Sequence, residues 1–303
     1  MIYTFTPNPA IDYYIDLDHF VQGKINRTGE TLFRVAGKGI NCSLILDLMK
    51  IRNSACFFSA GFTGDHITDS LKKYEYITAV PFETEGTTRI NVKFIGAEDT
   101  AINAPGPIIS EEAKSELFGY VGRCTSDDHF MISGSLPAGF GKDDLLRLCR
   151  KIAEKGTRLV LDVPNLKAGD LEDLDVYLIK PNLEELGMMF GKEICREECR
   201  DYVNRLLSGG VRNVLLSLGS EGALYMGGYG NYRMQVPSVE AYSTVGAGDS
   251  LLAGFVGALS QGKDIVSSLK TAGACAVARI TEKELDSASV IDEMYEKILV
   301  AED

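Results

Sequence analysis

The chain has 303 residues, of which 45% are hydrophobic and 24% are charged. This composition is typical of a globular protein and excludes a fibrous or disordered class. The formal net charge of −12 argues against nucleic acid as a partner, because phosphate contacts need clustered lysines and arginines.

The start of the chain and its cysteines indicate a cellular location. Residues 1–7 have no basic stretch ahead of an apolar one, so the sequence does not predict a signal peptide. The longest apolar stretch, residues 251–259, is too short to cross a bilayer, so we expect no contact with a membrane. We interpret the seven scattered cysteines as reduced thiols of the core and expect a cytoplasmic protein.

Apolar runs of strand length alternate with amphipathic helical stretches along most of the chain. Strands are predicted at residues 2–6, 55–60, 129–133, 158–163, 176–179, 214–218 and 223–226. Helices are predicted at residues 39–50, 110–121, 143–154, 183–190 and 197–207, and two more over 249–277, broken at Gly262 and Lys263. The strands are apolar throughout, as is typical of strands covered on both faces. The pattern predicts an α/β fold with a doubly wound, mostly parallel sheet and helices on both faces.

Two segments, 11–35 and 87–103, carry strand-like residues where the alternation would place helices. Along residues 87–94 one face carries Arg89, Asn91 and Lys93, and the other face is apolar. We expect these segments to form a small β lid over a site, with residues 1–10, 36–86 and 104–303 as the α/β core. The apolar face needs a partner, and a second subunit would supply it in a dimer. An ordinary amphipathic surface strand has the same pattern.

The strongest chemical signal is the stretch Ser-Thr-Val-Gly-Ala-Gly-Asp-Ser at 243–250, which leads into a helix of small and apolar residues. Gly246, Ala247 and Gly248 can present backbone amides at the helix N-terminus, where an anion is stabilised. Asp249 is then well placed to take a proton from an attacking hydroxyl group. The alternative is that Asp249 only caps the helix, as aspartate often does.

This stretch resembles the signature of the ribokinase-like, or PfkB, sugar kinases. Further motifs follow in the order of that family: Asn-Pro-Ala-Ile-Asp at 8–12, Gly-Lys-Gly-Ile-Asn at 37–41, Ser-Gly-Ser-Leu-Pro at 133–137, Lys-Pro-Asn-Leu-Glu-Glu at 180–185 and Ser-Leu-Gly-Ser-Glu-Gly at 217–222. The resemblance covers nearly the whole chain and implies a ribokinase-like fold. It also implies ATP and Mg²⁺ as cofactors.

The segments at 88–93 and 102–107 are similar to those of the 1-phosphofructokinase and tagatose-6-phosphate kinase branch. The resemblance implies that Arg89 and Lys93 hold the phosphate already present on the sugar, and arginine suits phosphate geometry. We expect phosphorylation of fructose 1-phosphate to the 1,6-bisphosphate, with tagatose 6-phosphate as the alternative substrate. A non-catalytic sugar-phosphate sensor on the same scaffold is the alternative from another class.

The motifs also assign the remaining site residues. The resemblance implies a substrate role for Asp12, Gly37, Lys38, Gly39, Asn41, Asn103 and Ser135. It implies nucleotide contacts for Lys180, Ser217, Gly219 and Gly222, and magnesium contacts for Asn182 and Glu185. A capping pair would equally explain Asn182 and Glu185, and Lys38 could contact either the sugar phosphate or solvent.

The sequence departs from the branch at two loop positions. Ala36 stands where a first glycine is usual, and alanine would be strained there if a positive φ were required. Ala101 stands where an acidic residue is common. The three histidines, His19, His66 and His129, suggest no catalytic role.

Overall fold

The computed structural model describes residues 1–17, 20–95, 100–282, 285 and 287–303, so His19 lies outside the described residues. The strands are β1 (Ile2–Thr6), β2 (Ala10–Asp16), β3 (Thr31–Ala36), β4 (Asn53–Ser59), β5 (Ile77–Glu83), β6 (Arg89–Ile95), β7 (Thr100–Ile102), β8 (His129–Ser133), β9 (Arg158–Asp162), β10 (Val176–Ile179), β11 (Asn213–Ser217), β12 (Ala223–Gly227), β13 (Gly230–Gln235) and β14 (Leu299–Glu302). The helices are α1 (Lys38–Leu48), α2 (Gly61–Leu71), α3 (Glu111–Val121), α4 (Lys142–Ala153), α5 (Leu183–Phe190), α6 (Cys199–Ser208), α7 (Ala247–Ser260), α8 (Ile265–Thr281) and α9 (Ala288–Tyr295).

The large sheet has the strand order β14-β13-β12-β11-β10-β9-β8-β1-β4-β5. Its strands from β11 to β5 pair in parallel, whereas β12, β13 and β14 pair antiparallel at one edge. Helices are needed for parallel crossovers, and they cover both faces of this sheet. The predicted doubly wound α/β fold, mostly parallel, is confirmed.

Alternate residues of the central strands enter two different cores, as the period of a strand requires. On β8, Phe130 and Ile132 join the core that contains residues of α3 to α6. Met131, between them, joins the core built with α1, α7, α8 and α9. This two-sided burial explains why the strands are apolar throughout. Cys195 is exposed, and the other six cysteines are buried as free thiols.

The segments set apart by their sequence form a second sheet with the order β3-β2-β6-β7. β2 pairs in parallel with β6, and the register places Asp12 beside Asn91. The inner apolar side chains Ile11 and Ile90 pack on a cluster that includes residues of α1, α2 and β4, so the chain itself covers part of this face. Residues 18–19 and 96–99 of the predicted lid lie outside the described residues.

The loop at Ala36 is not strained in the way that its sequence suggested. Ala36 pairs with Ala10 at the end of β3, and its φ is not in the positive range. Gly37, the next residue, has a φ of 136° and lies close to Thr6. The glycine that this loop needs is therefore present one position later. Across the described residues, no helix is long and apolar enough to pass through a bilayer.

Candidate active site

A cleft of about 710 Å³ lies between the small sheet and the carboxyl ends of the large sheet. Ligands of open α/β sheets bind at this edge, because the strand ends and helix N-termini converge there. The predicted site residues that line it are Asp12, Gly37, Lys38, Asn41, Arg89, Lys93, Asn103, Ser135, Lys180, Asn182, Glu185, Ser217, Gly246, Gly248 and Asp249. Residues far apart in the sequence thus share one cleft.

Asp249 lies in the first turn of α7, after Gly246, which is the N-cap and has a φ of 85°. The α7 N-terminus has no side-chain cap, so Asp249 does not cap its own helix. Its Oδ2 atom instead accepts a hydrogen bond of 2.7 Å from Asn41 Nδ2 on α1. The carboxylate is therefore held at the edge of the cleft by another helix, and the capping alternative is wrong.

The surroundings of Asp249 change its acidity. Burial, reinforced by the nearby carboxylate of Asp162, raises the pKa of Asp249 to about 6. The hydrogen bond from Asn41 and the ammonium groups of Lys38 and Lys180 oppose this change by favouring the ionised form. A carboxylate with this pKa is ionised at neutral pH and still accepts a proton more readily than an exposed aspartate does.

A cluster of charged side chains lies beside Asp249 at the ends of β9 and β10. The buried Asp162 carboxylate lies 3.2 Å from Lys38 Nζ and 3.5 Å from Lys180 Nζ. Lys38 Nζ is also 3.8 Å from Glu185 Oε1. Burial disfavours the charge on Lys38, but Asp162, Glu185 and Asp249 outweigh it and raise the pKa of Lys38. Lys38 is therefore a fixed cation at this end of the cleft.

Asp162 was not predicted as a site residue. Its position at the carboxyl end of an apolar strand was the signal that could have found it. Two further residues were also missed. Asn91 lies on the cleft side of β6. Arg279, near the end of α8, packs against Gly246 at the start of α7. A Cβ added to Gly246 would lie 3.4 Å from Arg279 Nε.

Asn182 and Glu185, which were predicted to contact magnesium, have a structural role in the fold. Asn182 Oδ1 accepts a hydrogen bond of 2.8 Å from the Glu185 amide, and Glu185 Oε2 accepts one of 3.0 Å from the Asn182 amide. They form the capping box of α5, as the alternative interpretation held. This box uses the Asn182 oxygen and leaves Glu185 Oε1 directed towards Lys38.

The residues present fit a Mg²⁺ ion held through water and nucleotide phosphates. Asp162 Oδ2 is buried and accepts no hydrogen bond from the described residues. The carboxylates of Asp162 and Glu185 both lie within 4 Å of Lys38 Nζ. Mg²⁺ prefers oxygen donors and usually retains several waters, so two carboxylates are enough. Within the described residues there is no cluster of three or more His, Cys, Asp or Glu that would hold a metal alone.

The opposite wall of the cleft belongs to the small sheet. Asp12 is buried, and its Oδ1 accepts a hydrogen bond of 2.8 Å from Asn91 Nδ2. Lys93 Nζ donates to the neutral side chain of Asn103 at 3.0 Å. Arg89 donates to the carbonyls of Asn8 at 2.9 Å and Ala104 at 3.3 Å, while its buried Nε has no partner among the described residues. Arg89 thus braces two loops as well as facing the cleft.

Four predicted site residues do not line the cleft: Gly39, Gly219, Gly222 and Ala247. Gly39 permits close packing of α1 on β1, since a Cβ there would lie 2.5 Å from Thr6 Oγ1. Gly222 shapes the turn before β12, where a side chain would collide with the carbonyl of Met234. Ala247 begins α7, so its amide still belongs to the helix N-terminus.

The two described histidines, His66 and His129, lie away from this site. His66 is exposed on α2, and His129 is buried at the start of β8, at the opposite end of the sheet. Neither lines the cleft.

The chain is similar to known proteins over almost its whole length. A model of the pfkB family of carbohydrate kinases matches residues 6–291. D-tagatose-1-phosphate kinase from Bacillus licheniformis is 33% identical over 302 residues, and 1-phosphofructokinase from Bacillus subtilis is 31% identical over 301 residues. Each match covers 99% of both chains. Phosphofructokinase-2 from Escherichia coli, in complex with substrates and products, superposes with a TM-score of 0.90 at 25% identity, covering 97% of this chain and 98% of that one.

The chain therefore belongs to the pfkB family of carbohydrate kinases, as the motifs predicted. It is a phosphotransferase that acts on a sugar hydroxyl group.

Proposed function

We propose that this protein transfers the γ-phosphoryl group of ATP to the C6 hydroxyl of D-fructose 1-phosphate and so forms the 1,6-bisphosphate. The observation that carries the proposal is the buried Asp249 carboxylate beside the glycine-rich N-terminus of α7, in one cleft with Arg89 and Lys93. A proton acceptor, an anion hole and two cations for a second phosphate are together what this reaction needs. The two relatives named 1-phosphofructokinase from Bacillus subtilis and Borreliella burgdorferi support the choice of substrate.

In this mechanism, Asp249 accepts the proton of the C6 hydroxyl as its oxygen attacks the γ-phosphorus. The bond from that phosphorus to the ADP oxygen breaks, and ADP departs with the electron pair. The amides at the start of α7, at Gly246, Ala247 and Gly248, stabilise the charge on the transferred group. Asn41 keeps the carboxylate in place and ionised through its 2.7 Å hydrogen bond.

The phosphates of ATP and the phosphate of the sugar bind at opposite ends of the cleft. Lys180, with Ser217 nearby, serves the phosphates of ATP. Lys38 was predicted to contact the substrate, but its position beside Asp162 and Glu185 supports a role with the ATP phosphates instead. Glu185 and Asp162 would hold Mg²⁺, which would neutralise part of the phosphate charge. The capping interactions of Asn182 and Glu185 fix the position of the Glu185 carboxylate.

Arg89 and Lys93 hold the phosphate that the sugar already carries. Among the described residues neither forms an ion pair with a carboxylate, so their charge is available to an anion. Asp12, oriented by Asn91, accepts hydrogen bonds from the sugar hydroxyls, and Asn103 and Ser135 complete the polar lining. Positive charge at this wall would be unnecessary for a neutral sugar.

A tagatose phosphate is the second candidate substrate. The relatives from Bacillus licheniformis and Staphylococcus epidermidis are named D-tagatose-1-phosphate kinase and tagatose-6-phosphate kinase, at 33% and 28% identity. D-tagatose differs from D-fructose only in the configuration at C4, so the same cleft can accept both. A non-catalytic sensor is disfavoured, because the carboxylate and the glycines of the anion hole are both retained.

The small sheet is also the proposed lid and dimer contact. Its exposed apolar side chains include Phe33, which is 54% exposed, and Ile102, which is 58% exposed. Burying such side chains against a second copy is favourable by roughly 25 cal/mol per Å² of apolar surface. We further propose that the enzyme is a cytoplasmic homodimer. Sedimentation of the purified chain tests the dimer.

The test of the function is ADP release from Mg·ATP with fructose 1-phosphate, tagatose 1-phosphate, tagatose 6-phosphate, fructose 6-phosphate and fructose as acceptors. Selective turnover of fructose 1-phosphate is expected, and ³¹P NMR of the product identifies the acceptor oxygen. Preference for free fructose would contradict the assignment of Arg89 and Lys93. No turnover with any acceptor would favour the sensor.

A further inference from the structure

A second cleft, of about 630 Å³, lies at the opposite end of the large sheet. It is lined by the first residues of the central strands, by the connection after α1 and by the end of α7. The N-terminus of α7 lines the proposed active site, and this 14-residue helix spans roughly 20 Å. The second cleft is therefore a separate cavity, and its volume is in the range of small-molecule sites.

Three cations converge on this cleft in a chain with a net charge of −12. Lys50 and Arg52 follow α1, and Arg158 begins β9. Within the described part of the chain, none of the three forms an ion pair with a carboxylate. One acidic side chain, Asp127, also lines the cleft, so the cations exceed it by two.

A favourable interaction with a helix dipole explains the position of only one of these three cations. A cation near a helix C-terminus complements the helix dipole, which suits Lys50 just beyond α1. Arg158 lies at the start of a strand, however, and Arg52 is four residues past the end of α1. The N-terminal amine is already paired with Asp128 at 2.8 Å and adds no free charge to the cleft.

The cleft also has an aromatic and hydrogen-bonding wall. The Arg158 guanidinium lies 6.0 Å from the ring centroid of Tyr177, whose hydroxyl is 3.2 Å from that of Tyr229. His129 packs edge-on against Tyr177. Burial, then Arg158 and the N-terminal amine, lower the pKa of His129 to about 4, so its ring is neutral at physiological pH. Fixed cations beside aromatic rings suit a phosphate group attached to a ring-containing molecule.

We propose that this second cleft binds a small phosphate-bearing molecule, with Lys50, Arg52 and Arg158 contacting the phosphate group. A nucleotide and a sugar phosphate share this chemistry, and the experiment below distinguishes them. The proposal does not depend on the reaction proposed for the first cleft, because no residue is common to the two.

The chain contains no tryptophan, which permits a local fluorescence test. Tyr229 is 49% exposed in the second cleft, so the variant Tyr229→Trp places the single tryptophan there. Inorganic phosphate, AMP and fructose 1,6-bisphosphate are titrated separately at constant ionic strength. A saturable change in emission is expected. The anion with the lowest Kd identifies the source as phosphate alone, nucleotide or sugar phosphate.

Charge variants in the same background give the sign of the effect. Arg52→Gln with Arg158→Gln should raise the Kd about a hundredfold or more, because each substitution removes a charge-assisted contact worth a factor of about ten or more. Asp127→Asn should lower the Kd. The matched control is Arg123→Gln, which removes an exposed arginine that does not line the cleft and should leave the Kd unchanged.

Calorimetry on the unaltered chain guards against an effect of the new tryptophan. Calorimetry should detect binding of the phosphate-bearing ligand to the unaltered chain. The variant with both Arg52→Gln and Arg158→Gln should lose this binding but retain its KM for ATP. The proposal would be overturned if no anion changed the tryptophan emission and if calorimetry showed no loss of binding in the double arginine variant. An equal Kd in the double variant and the control would also overturn it.

Discussion

Asn41 Nδ2 and Asp249 Oδ2 are joined by a hydrogen bond of 2.7 Å across 208 residues of sequence. Asn41 lies one turn into α1, and Asp249 lies in the first turn of α7. These two helices pack on the same face of the sheet, so their N-termini meet at the cleft. The bond orients the carboxylate and opposes the rise in its pKa.

Asp249→Asn should lower kcat by a factor of about 10² or more, because the variant cannot accept the proton of the hydroxyl. Substrate binding should persist, since an amide fills the same space and can still accept the hydrogen bond from Asn41. Steady-state kinetics and calorimetric Kd values measure the two effects. Asp143→Asn, an acidic residue in the first turn of α4, is the control and should have wild-type kcat. An unchanged kcat in Asp249→Asn would refute the assignment of Asp249 as the general base.

The pH profile of kcat should have an acidic limb near pH 6. Asp249 must be ionised to accept a proton, and its pKa is raised to about 6. Activity is therefore retained above this pH and lost as the pH falls below it. Initial rates from pH 5 to 8, with saturating substrates, define the limb. A limb near pH 4 would mean that burial does not affect the reacting carboxylate.

Asn41→Ala should move that acidic limb to higher pH. The Asn41 hydrogen bond favours the ionised form of Asp249, so its removal leaves the effect of burial less opposed and raises the pKa further. A variant that only distorted the cleft would lower kcat at every pH without displacing the limb. The measurement is the pH at half-maximal kcat, compared with that of the unaltered chain.

Lys93→Gln and Arg89→Gln should each raise the KM for the sugar phosphate about tenfold and leave the KM for ATP nearly unchanged. The two variants should differ in stability. Among the described residues, Lys93 Nζ hydrogen-bonds only to the Asn103 side chain, whereas Arg89 binds two loop carbonyls. Thermal unfolding should therefore show a lower Tm for Arg89→Gln alone. An unchanged KM in both variants would contradict their assignment to the sugar phosphate.

Gly39→Ala should lower the free energy of unfolding by about 1–3 kcal/mol through overpacking. A Cβ there would lie 2.5 Å from Thr6 Oγ1 and 3.0 Å from the backbone of Phe5. The matched control is Gly119→Ala in α3, where no described atom beyond the adjoining residues and the helix backbone lies within 4 Å of the new Cβ. That control should gain about 0.5–1 kcal/mol, because alanine is the better helix former. Chemical denaturation measures both values.

The elements that the sequence did not predict lie mainly at edges. β5 contains Pro81 and is the outer strand at one side of the sheet, where a missing amide is tolerated. β14 is the other outer strand and is mostly exposed, so it has no apolar run. α2 contains Gly61 and Gly64, which weaken a helical pattern. Local composition predicted helices and strands poorly where the element is not packed between the two large cores.

The α/β alternation, the glycine-rich entry to α7 and the membership of the family could all be predicted from the amino-acid sequence. Two-sided burial requires apolar strands, and the proposed anion-binding N-terminus of α7 depends on glycines that are close together in the chain. The contacts of Asp162 with Lys38, and of Asn41 with Asp249, arise only on folding, because these pairs are 124 and 208 positions apart and no local pattern encodes them. The pKa of Asp249 depends on such contacts and on burial, and both exist only in the folded chain.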